Sequence, residues 1–325
     1  INAGYLVWSI AFGHRSPRMI LNSSQCERYR FHVIDDVLVT GLSNGRIRTW
    51  DVKTGIIRGL KHELLDHIDV IRDLHFAPEL FFKMVSASHD GTLKIWDFDD
   101  DGNMCRTIKS PFGQVYSCRW SPDVSLIAAT GNNKNVCLWS TSNFEIFHKL
   151  VGHKNVVMKC EFSSDGSMLA TASRDTVVIV WEVATQTPIA SFFHLLPKPE
   201  FIFAGGSNDF YVHDVSFCKY NNQLVTVCET GVVQLWSLDS SQPTEKLYVK
   251  DVYTCCYSTD GLLIAIGTKT GHCLILRPFS HLPSIQQLCR NIIRKCFTTD
   301  QIQEFSFLPK SLKNYLLYIN DDKTA

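Results

Sequence analysis

The chain has no surplus of charge of either sign: Lys and Arg together number 32, and so do Asp and Glu. A general nucleic-acid binder needs net positive surface to displace counterions, so that class is excluded, as is an acidic disordered tail protein. There is no run of the roughly 18 apolar residues that a membrane helix requires. The early apolar stretch 4–13 has no basic segment before it and no small-residue cleavage site after it, so it does not read as a signal peptide. The 12 cysteines never form a C-x-x-C pair, which removes zinc ribbons and thioredoxin-type sites. Scattered singly apart from Cys255–Cys256, they read as small hydrophobes in a reducing compartment, so an intracellular location, cytoplasmic or nuclear, is expected. The sequence has no phosphate loop, no nucleophile elbow and no paired catalytic carboxylates, so no catalytic residue, metal ligand or cofactor is expected. It opens on Ile rather than Met, so a longer protein is expected upstream.

What is present is a repeat. Tryptophans stand at Trp50, Trp96, Trp139, Trp181 and Trp236, at intervals of 46, 43, 42 and 55. Each ends a short apolar run, and a turn precedes each run: Ser43-Asn44-Gly45, His89-Asp90-Gly91, 131–135, Arg174-Asp175-Thr176 and Glu229-Thr230-Gly231. Two further apolar runs precede each turn, such as Met168–Ser173 and Val156–Phe162. A sixth copy, from Val252 to Leu276, has Leu where Trp would stand. About four short strands recurring every forty-odd residues predict an all-β propeller.

The dipeptides Trp50-Asp51 and Trp96-Asp97 and the pair Gly152-His153 resemble the WD-repeat family over about residues 5–279. At copies two and four the family's polar set is complete: His67, Ser88, Asp90 and Trp96, then His153, Ser173, Asp175 and Trp181. An indole N–H, a hydroxyl, an imidazole and a carboxylate can satisfy one another inside a blade. Because the set recurs with the repeat, it reads as structural rather than as a hydrolytic triad. Copies three, five and six lack the His and the Asp and are expected to lean on apolar packing. The string from His62-Glu63 to His67 is off by one from a zinc-protease motif. Five helical residues turn about 140° past a full turn, so its two His would not share a metal, and it reads as a polar loop.

Six copies are visible where the family usually has seven, so an N-terminal blade is expected upstream, with a six-bladed ring as the alternative. Two insertions break the period. One, at about 13–30, carries Arg15, Arg18, Arg28 and Arg30; the other, at about 194–209, carries Pro197, Pro199, Gly205 and Gly206. Such loops can serve partners or be tolerated surface.

The strand pattern stops at Pro278, and a helical one follows. Ser284 can cap a helix with a stripe of Ile285, Leu288, Cys289, Ile292 and Ile293. Thr298 or Thr299 can start a second helix through Phe305. After Pro309 a third runs to about Tyr318, with Leu312, Tyr315 and Leu316 on one side. So small a unit must dock on the propeller or on another protein.

The segment 284–293 resembles the elongin-binding box of a SOCS box, with Ile285 in place of the usual Leu and Cys289 and Ile293 matching. The cullin-facing part of the family is only half kept, since Ser306-Phe307 replaces the first Leu-Pro while Leu308-Pro309 keeps the second Pro. A propeller followed at once by a SOCS box resembles the WD-repeat-and-SOCS-box family of ubiquitin-ligase receptors. The domains are then a propeller over 1–279, a SOCS box over 280–319 and a polar tail over 320–325. The resemblance implies a non-catalytic substrate adaptor. Ile285, Leu288, Cys289 and Ile293 would bind elongin C, which travels with elongin B. Leu308, Pro309, Leu312, Tyr315 and Leu316 would meet a cullin, of the type-five class, with its RING protein. An unidentified target protein would sit on the propeller, with no nucleic acid or membrane as partner. The alternative is a WD scaffold with no role in ubiquitin transfer.

Overall fold

The computed structural model describes residues 4–13, 36–53, 56–78, 82–100, 102–194, 211–219, 223–240, 242–278, 289–290, 292–293, 296–297 and 299–317. Most of both insertions, Ser284, Ile285, Leu288, the boundary after 279 and the tail 320–325 lie outside them. The chain divides into two compact units, Ile1–Val151 and Gly152–Ala325.

The first unit holds three antiparallel four-stranded blades, as expected of the all-β propeller class. Blade one is β1 (Val7–Gly13), β2 (Asp36–Leu42), β3 (Ile47–Lys53) and β4 (Ile56–Leu64). Blade two is β5 (Ile71–Phe76), β6 (Lys83–Ser88), β7 (Thr92–Asp97) and β8 (Asn103–Lys109). Blade three is β9 (Val115–Trp120), β10 (Leu126–Gly131), β11 (Asn135–Ser140) and β12 (Ile146–Val151).

The second unit holds blades four to six. Blade four is β13 (Val157–Phe162), β14 (Met168–Ser173), β15 (Val177–Glu182) and β16 (Pro188–Phe193). Blade five is β17 (Val212–Phe217), β18 (Gln223–Cys228), β19 (Val232–Ser237) and β20 (Glu245–Tyr248). Blade six has three strands among the described residues: β21 (Val252–Tyr257), β22 (Ile264–Thr268) and β23 (Cys273–Leu276). After it come helical residues at 289–290 and 292–293 and, among the described residues, two short helices with full ranges, α1 (Thr299–Glu304) and α2 (Lys310–Leu316). No helix among the described residues is long and apolar enough to cross a membrane.

The middle strands of blades two to five are covered on both faces, so they read as continuous apolar runs rather than as alternation. All six residues of β14 are buried. Within each unit, neighbouring blades pack face to face. Val85, Leu93 and Ile95 of blade two share a cluster with Val115, Trp120 and Ile127 of blade three. In the second unit, Ala172 and Val178 of blade four meet Val212 and Val215 of blade five, whose Val225 and Val233 meet Val252 and Ile264 of blade six.

Buried acids reinforce these seams. Asp73 accepts hydrogen bonds from the Ser117 hydroxyl at 2.6 Å and from the Arg119 guanidinium at 2.6 Å. Asp214 does the same for the Thr254 hydroxyl and the Cys255 amide. The string at 62–67 is no helix: His62 and Glu63 belong to β4, and Glu63 is paired with Arg46 and Arg48. It corrects the loop reading, since β4 holds the string through Leu64 in extended backbone.

Candidate functional site

Three groups of side chains recur or converge, and each is built differently. The first lies inside the blades. Trp96 Nε1 donates to Ser86 Oγ at 2.9 Å, Ser86 Oγ lies 2.7 Å from His67 Nε2, and His67 Nδ1 lies 2.6 Å from Asp90 Oδ2. An ionised carboxylate only accepts, so Nδ1 carries the proton and Nε2 receives the serine hydroxyl. Blade four repeats the relay through Trp181, Thr171, His153 and Asp175. Burial lowers the His67 pKa and outweighs the pull of Asp90, so the ring is neutral. Burial raises Asp90, but hydrogen bonds from His67 and Thr92 outweigh it and hold the carboxyl well below the usual carboxylate range.

The hydroxyl in each relay corrects the expectation of Ser88 and Ser173. Both of those stand at strand ends, one pleat beyond the indole. Ser88 Oγ donates to the Asp69 carbonyl and accepts from the Asp90 amide, and Ser173 Oγ donates to the Val156 carbonyl. The working hydroxyl lies ten residues before the Trp, two positions along from its cross-strand partner, which is the diagonal reach of a large side chain. The same spacing gives Trp50 to Thr40 and Trp236 to Thr226, both at 2.9 Å, while Ala129 stands in that place for Trp139.

Aspartate, histidine and serine in this order have the outline of a triad. Ser86 is wholly buried, however, and its oxygen already accepts the indole N–H, so it offers no nucleophile to a substrate. Gly152 belongs to this group too, because a Cβ there would stand 2.7 Å from the Trp181 ring. Blade five shows no His in its relay among the described residues, but it has a ring beside its Trp that the sequence did not indicate, with neither nitrogen hydrogen-bonded. His194, from the start of the insertion, lies with its ring centroid 5.4 Å from that of Trp236.

The second group was missed at the sequence level. In every blade the first strand carries one extra residue against the second: Trp8, Arg72, Tyr116, Met158, His213 and Tyr253. A bulge re-aims the side chain it inserts. The signal was present as an apolar spacing of three and then two. Ile71, Leu74 and Phe76 show it, as do Val115, Cys118 and Trp120, and Val212, Val215 and Phe217.

In the first unit the Arg72 guanidinium lies 4.4 Å from the Trp8 ring and 5.5 Å from that of Tyr116, whose edge meets His89. In the second, Arg174 Nε donates to Met158 Sδ at 3.2 Å and its guanidinium lies over Tyr211. His213 packs on Tyr253 and contacts Glu229, which also holds Lys269.

The third group is C-terminal. Cys289, Arg290, Ile292 and Ile293 are helical; Ile285 and Leu288 lie outside the described residues. Cys289 and Ile292 are exposed. Ile293 turns inward to a small core of Ile302, Leu316 and Leu317, with Phe305 and Leu308 beside it. Of the residues expected to face a cullin, Leu316 is in that core, Leu308 is at its edge and Tyr315 is half-buried. Pro309 and Leu312 are exposed, as is Phe307, which stacks on Phe305. Pro309 caps α2 with φ −57°, and the helix begins at Lys310. Arg290 is 2% exposed, ion-paired to Asp239 of blade five and stacked on Tyr315. Among the described residues no three His, Cys, Asp or Glu cluster as a metal site would need.

Antiparallel four-stranded blades with a Trp–hydroxyl–His–Asp relay define a WD-repeat propeller, here carrying a short helical appendage. The family model for the WD domain, G-beta repeat, matches residues 59–97, 102–140 and 144–182, and that for the SOCS box matches 282–317. WD repeat and SOCS box-containing protein 1 of Homo sapiens is 40% identical over 320 residues, covering 98% of this chain and 75% of that protein. The protein of the same name from Xenopus tropicalis is also 40% identical, with the same coverage. Target of rapamycin complex subunit wat1 of Schizosaccharomyces pombe is 27% identical over 213 residues, 64% of this chain and 63% of that protein. The chain belongs to the WD repeat and SOCS box-containing family.

Proposed function

We propose that this chain is the target-holding adaptor of an elongin B/C–cullin–RING ubiquitin ligase and performs no bond chemistry itself. The observation that carries the reading is the SOCS-box match at 282–317, placed directly after WD blades. The helical residues Cys289 and Ile292 expose a small apolar face there, the kind of surface that helix-in-groove recognition uses. In this reading Ile285, Leu288, Cys289 and Ile293 engage elongin C, and Leu308, Pro309, Leu312, Tyr315 and Leu316 serve the cullin side. A type-five cullin is the partner the Pro309 segment favours, although Ser306-Phe307 departs from the usual pattern. The target sits against the bulge side chains of the first unit, Trp8, Arg72 and Tyr116. Arg, Tyr and Trp held by one another are the residue types that dominate protein interfaces. Ubiquitin transfer then follows from proximity, by raising the concentration of target lysines near a charged conjugating enzyme.

The test is a pull-down with purified elongin B–elongin C. The wild-type chain is expected to bind, and Ile285→Ala with Cys289→Phe to lose binding by about tenfold or more, the scale of one buried aliphatic side chain. A folded wild-type chain that ignores elongin C would leave a WD scaffold without a role in ubiquitin transfer.

A further inference from the structure

The small core of the C-terminal helices, Ile302, Leu316 and Leu317 with Ile293, Phe305 and Leu308 beside them, includes no blade residue among those described. It holds the helices to one another and sets no angle between them and the blades. Arg290 does reach a blade. Its Nη1 donates to Asp239 Oδ1, and its guanidinium lies 3.5 Å from the Tyr315 ring of α2. The face of the planar group is thus taken by a ring and its N–H edge by a carboxylate. An ion pair alone is a pivot about which two bodies can swing, and a stacked plane added to it stops the swing. A buried ion pair is weak evidence for stability, so what the two contacts supply together is direction.

Asp239 is a firm mounting. It follows Leu238, which is buried in the core shared by blades four and five, and its amide donates to Ser237 Oγ at the end of β19. On the other side, Arg290 stands between Cys289 and Ile292, both exposed. A helix turns about 100° per residue, so Ile292 points about 160° away from Arg290. One turn of helix therefore shows its apolar side outward while its charged side is fastened to blade five.

We infer that Arg290 is a positioning residue of the ligase. Clamped between Asp239 and Tyr315, it fixes the direction of the elongin-facing helix relative to blades four to six, and so decides which lysines held near those blades meet the conjugating enzyme. The inference rests on the adaptor reading given above. It adds that the C-terminal helices are an oriented arm rather than a loose tether.

Two measurements on the full chain test it. The first needs no ligase. Ketone-bearing amino acids at Ala184, between β15 and β16, and at Ser311 of α2, both exposed, carry spin labels that leave the cysteines alone. The wild-type chain is expected to give one narrow distance distribution, and Asp239→Ala and Arg290→Ala to widen it about twofold. Asp239→Ala alters no residue of the SOCS box, so its capture of elongin C should match that of the wild type. The second measurement is self-ubiquitination in a ligase reconstituted with elongin B–elongin C, a type-five cullin and its RING protein, using lysine-free ubiquitin so that each addition is mapped by mass spectrometry. Lys154, Lys219, Lys246, Lys250 and Lys269 are exposed in the second unit. The wild type is expected to favour some of them strongly. In Asp239→Ala the ratio of the most to the least modified should fall about fivefold, because a loose tether presents every lysine alike. An unchanged distance distribution, or a widened one with the lysine preference intact, would overturn the inference. Loss of elongin capture in Asp239→Ala would make the contact a merely structural one and overturn it too. A wild-type chain that does not capture elongin C would remove the adaptor reading itself, and with it the role of Arg290, even where the distances widen.

Discussion

The guanidinium carbon of Arg290 lies 3.5 Å from the centroid of the Tyr315 ring. The same side chain is ion-paired to Asp239, just beyond β19. One buried residue thus ties the start of the C-terminal helices to α2 and to a blade. A desolvated cation–π contact is worth about 2 kcal/mol. Arg290→Ala is expected to speed amide exchange across α1 and α2 by about tenfold or more, leaving blades four and five protected. Arg290→Lys should rescue little, because an ammonium lacks the planar face that stacks. Unchanged exchange in both variants would show that the helices are held by Ile293, Ile302 and Leu316 alone.

Ser86 and Ser88 separate the relay from its surroundings. Ser86→Ala leaves the Trp96 indole N–H and His67 Nε2 without their shared partner inside the blade, a cost of about 2–4 kcal/mol. Ser88→Ala removes a turn contact to the Asp69 carbonyl and should cost about 1 kcal/mol. Urea unfolding of the two variants measures the order. A larger loss for Ser88→Ala would contradict the relay.

Thr176 has φ 69°, at the turn position where other blades have Gly45, Gly91, Gly231 and Gly271, all with φ above 80°. Its hydroxyl is buried without a partner among the described residues. Thr176→Gly is therefore expected to stabilise the chain by about 1 kcal/mol, read as a higher thermal midpoint.

His194 gives the second unit an acid-sensitive point. Burial, and then the charge of Lys246, pushes its pKa down to about 3. An unfolded imidazole titrates near 6.5, so between pH 6.5 and about 3 the unfolded chain binds a proton that the folded one refuses. The stability tied to this residue is complete above pH 6.5 and drains away as the pH falls toward 3. His194→Phe would set an apolar ring on Trp236, much as Phe112 meets Trp139 at 6.0 Å. Its thermal midpoint should fall less steeply with acid than that of the wild type between pH 6.5 and the carboxylate range. Parallel profiles would place the acid sensitivity elsewhere, at His67 or His213, whose pKa values burial also lowers.

The blades were legible because Trp, turn and apolar run recur at nearly one interval. The His–Asp pairs were legible because both ends of that pair sit in loops with fixed spacing to the Trp. The hydroxyl was misassigned because Ser86 and Ser88 share a strand face, and sequence does not say how far an indole reaches across it. His194 was missed because an insertion separates it from Trp236 by 42 residues, where His67 lies 29 before Trp96. At the C-terminus the periodicity drew a stripe of which Ile285 and Leu288 lie outside the described residues. It could not distinguish Ile293, which turns to a local core, from Ile292, which does not. Nor did anything in the sequence say that Arg290, on the polar side of that stripe, would be buried.

The extra residue at the head of each blade lies outside the alternation that assigns strand side chains to one packed face or the other. In blades two to six its neighbours, Ile71, Val115, Val157, Val212 and Val252, are fully buried and bound to their size. Trp8, Arg72, Tyr116, Met158, His213 and Tyr253 have nothing in common but their place. If such side chains serve a partner, as proposed above for those of the first unit, they could be exchanged without altering the buried residues that fold the blades.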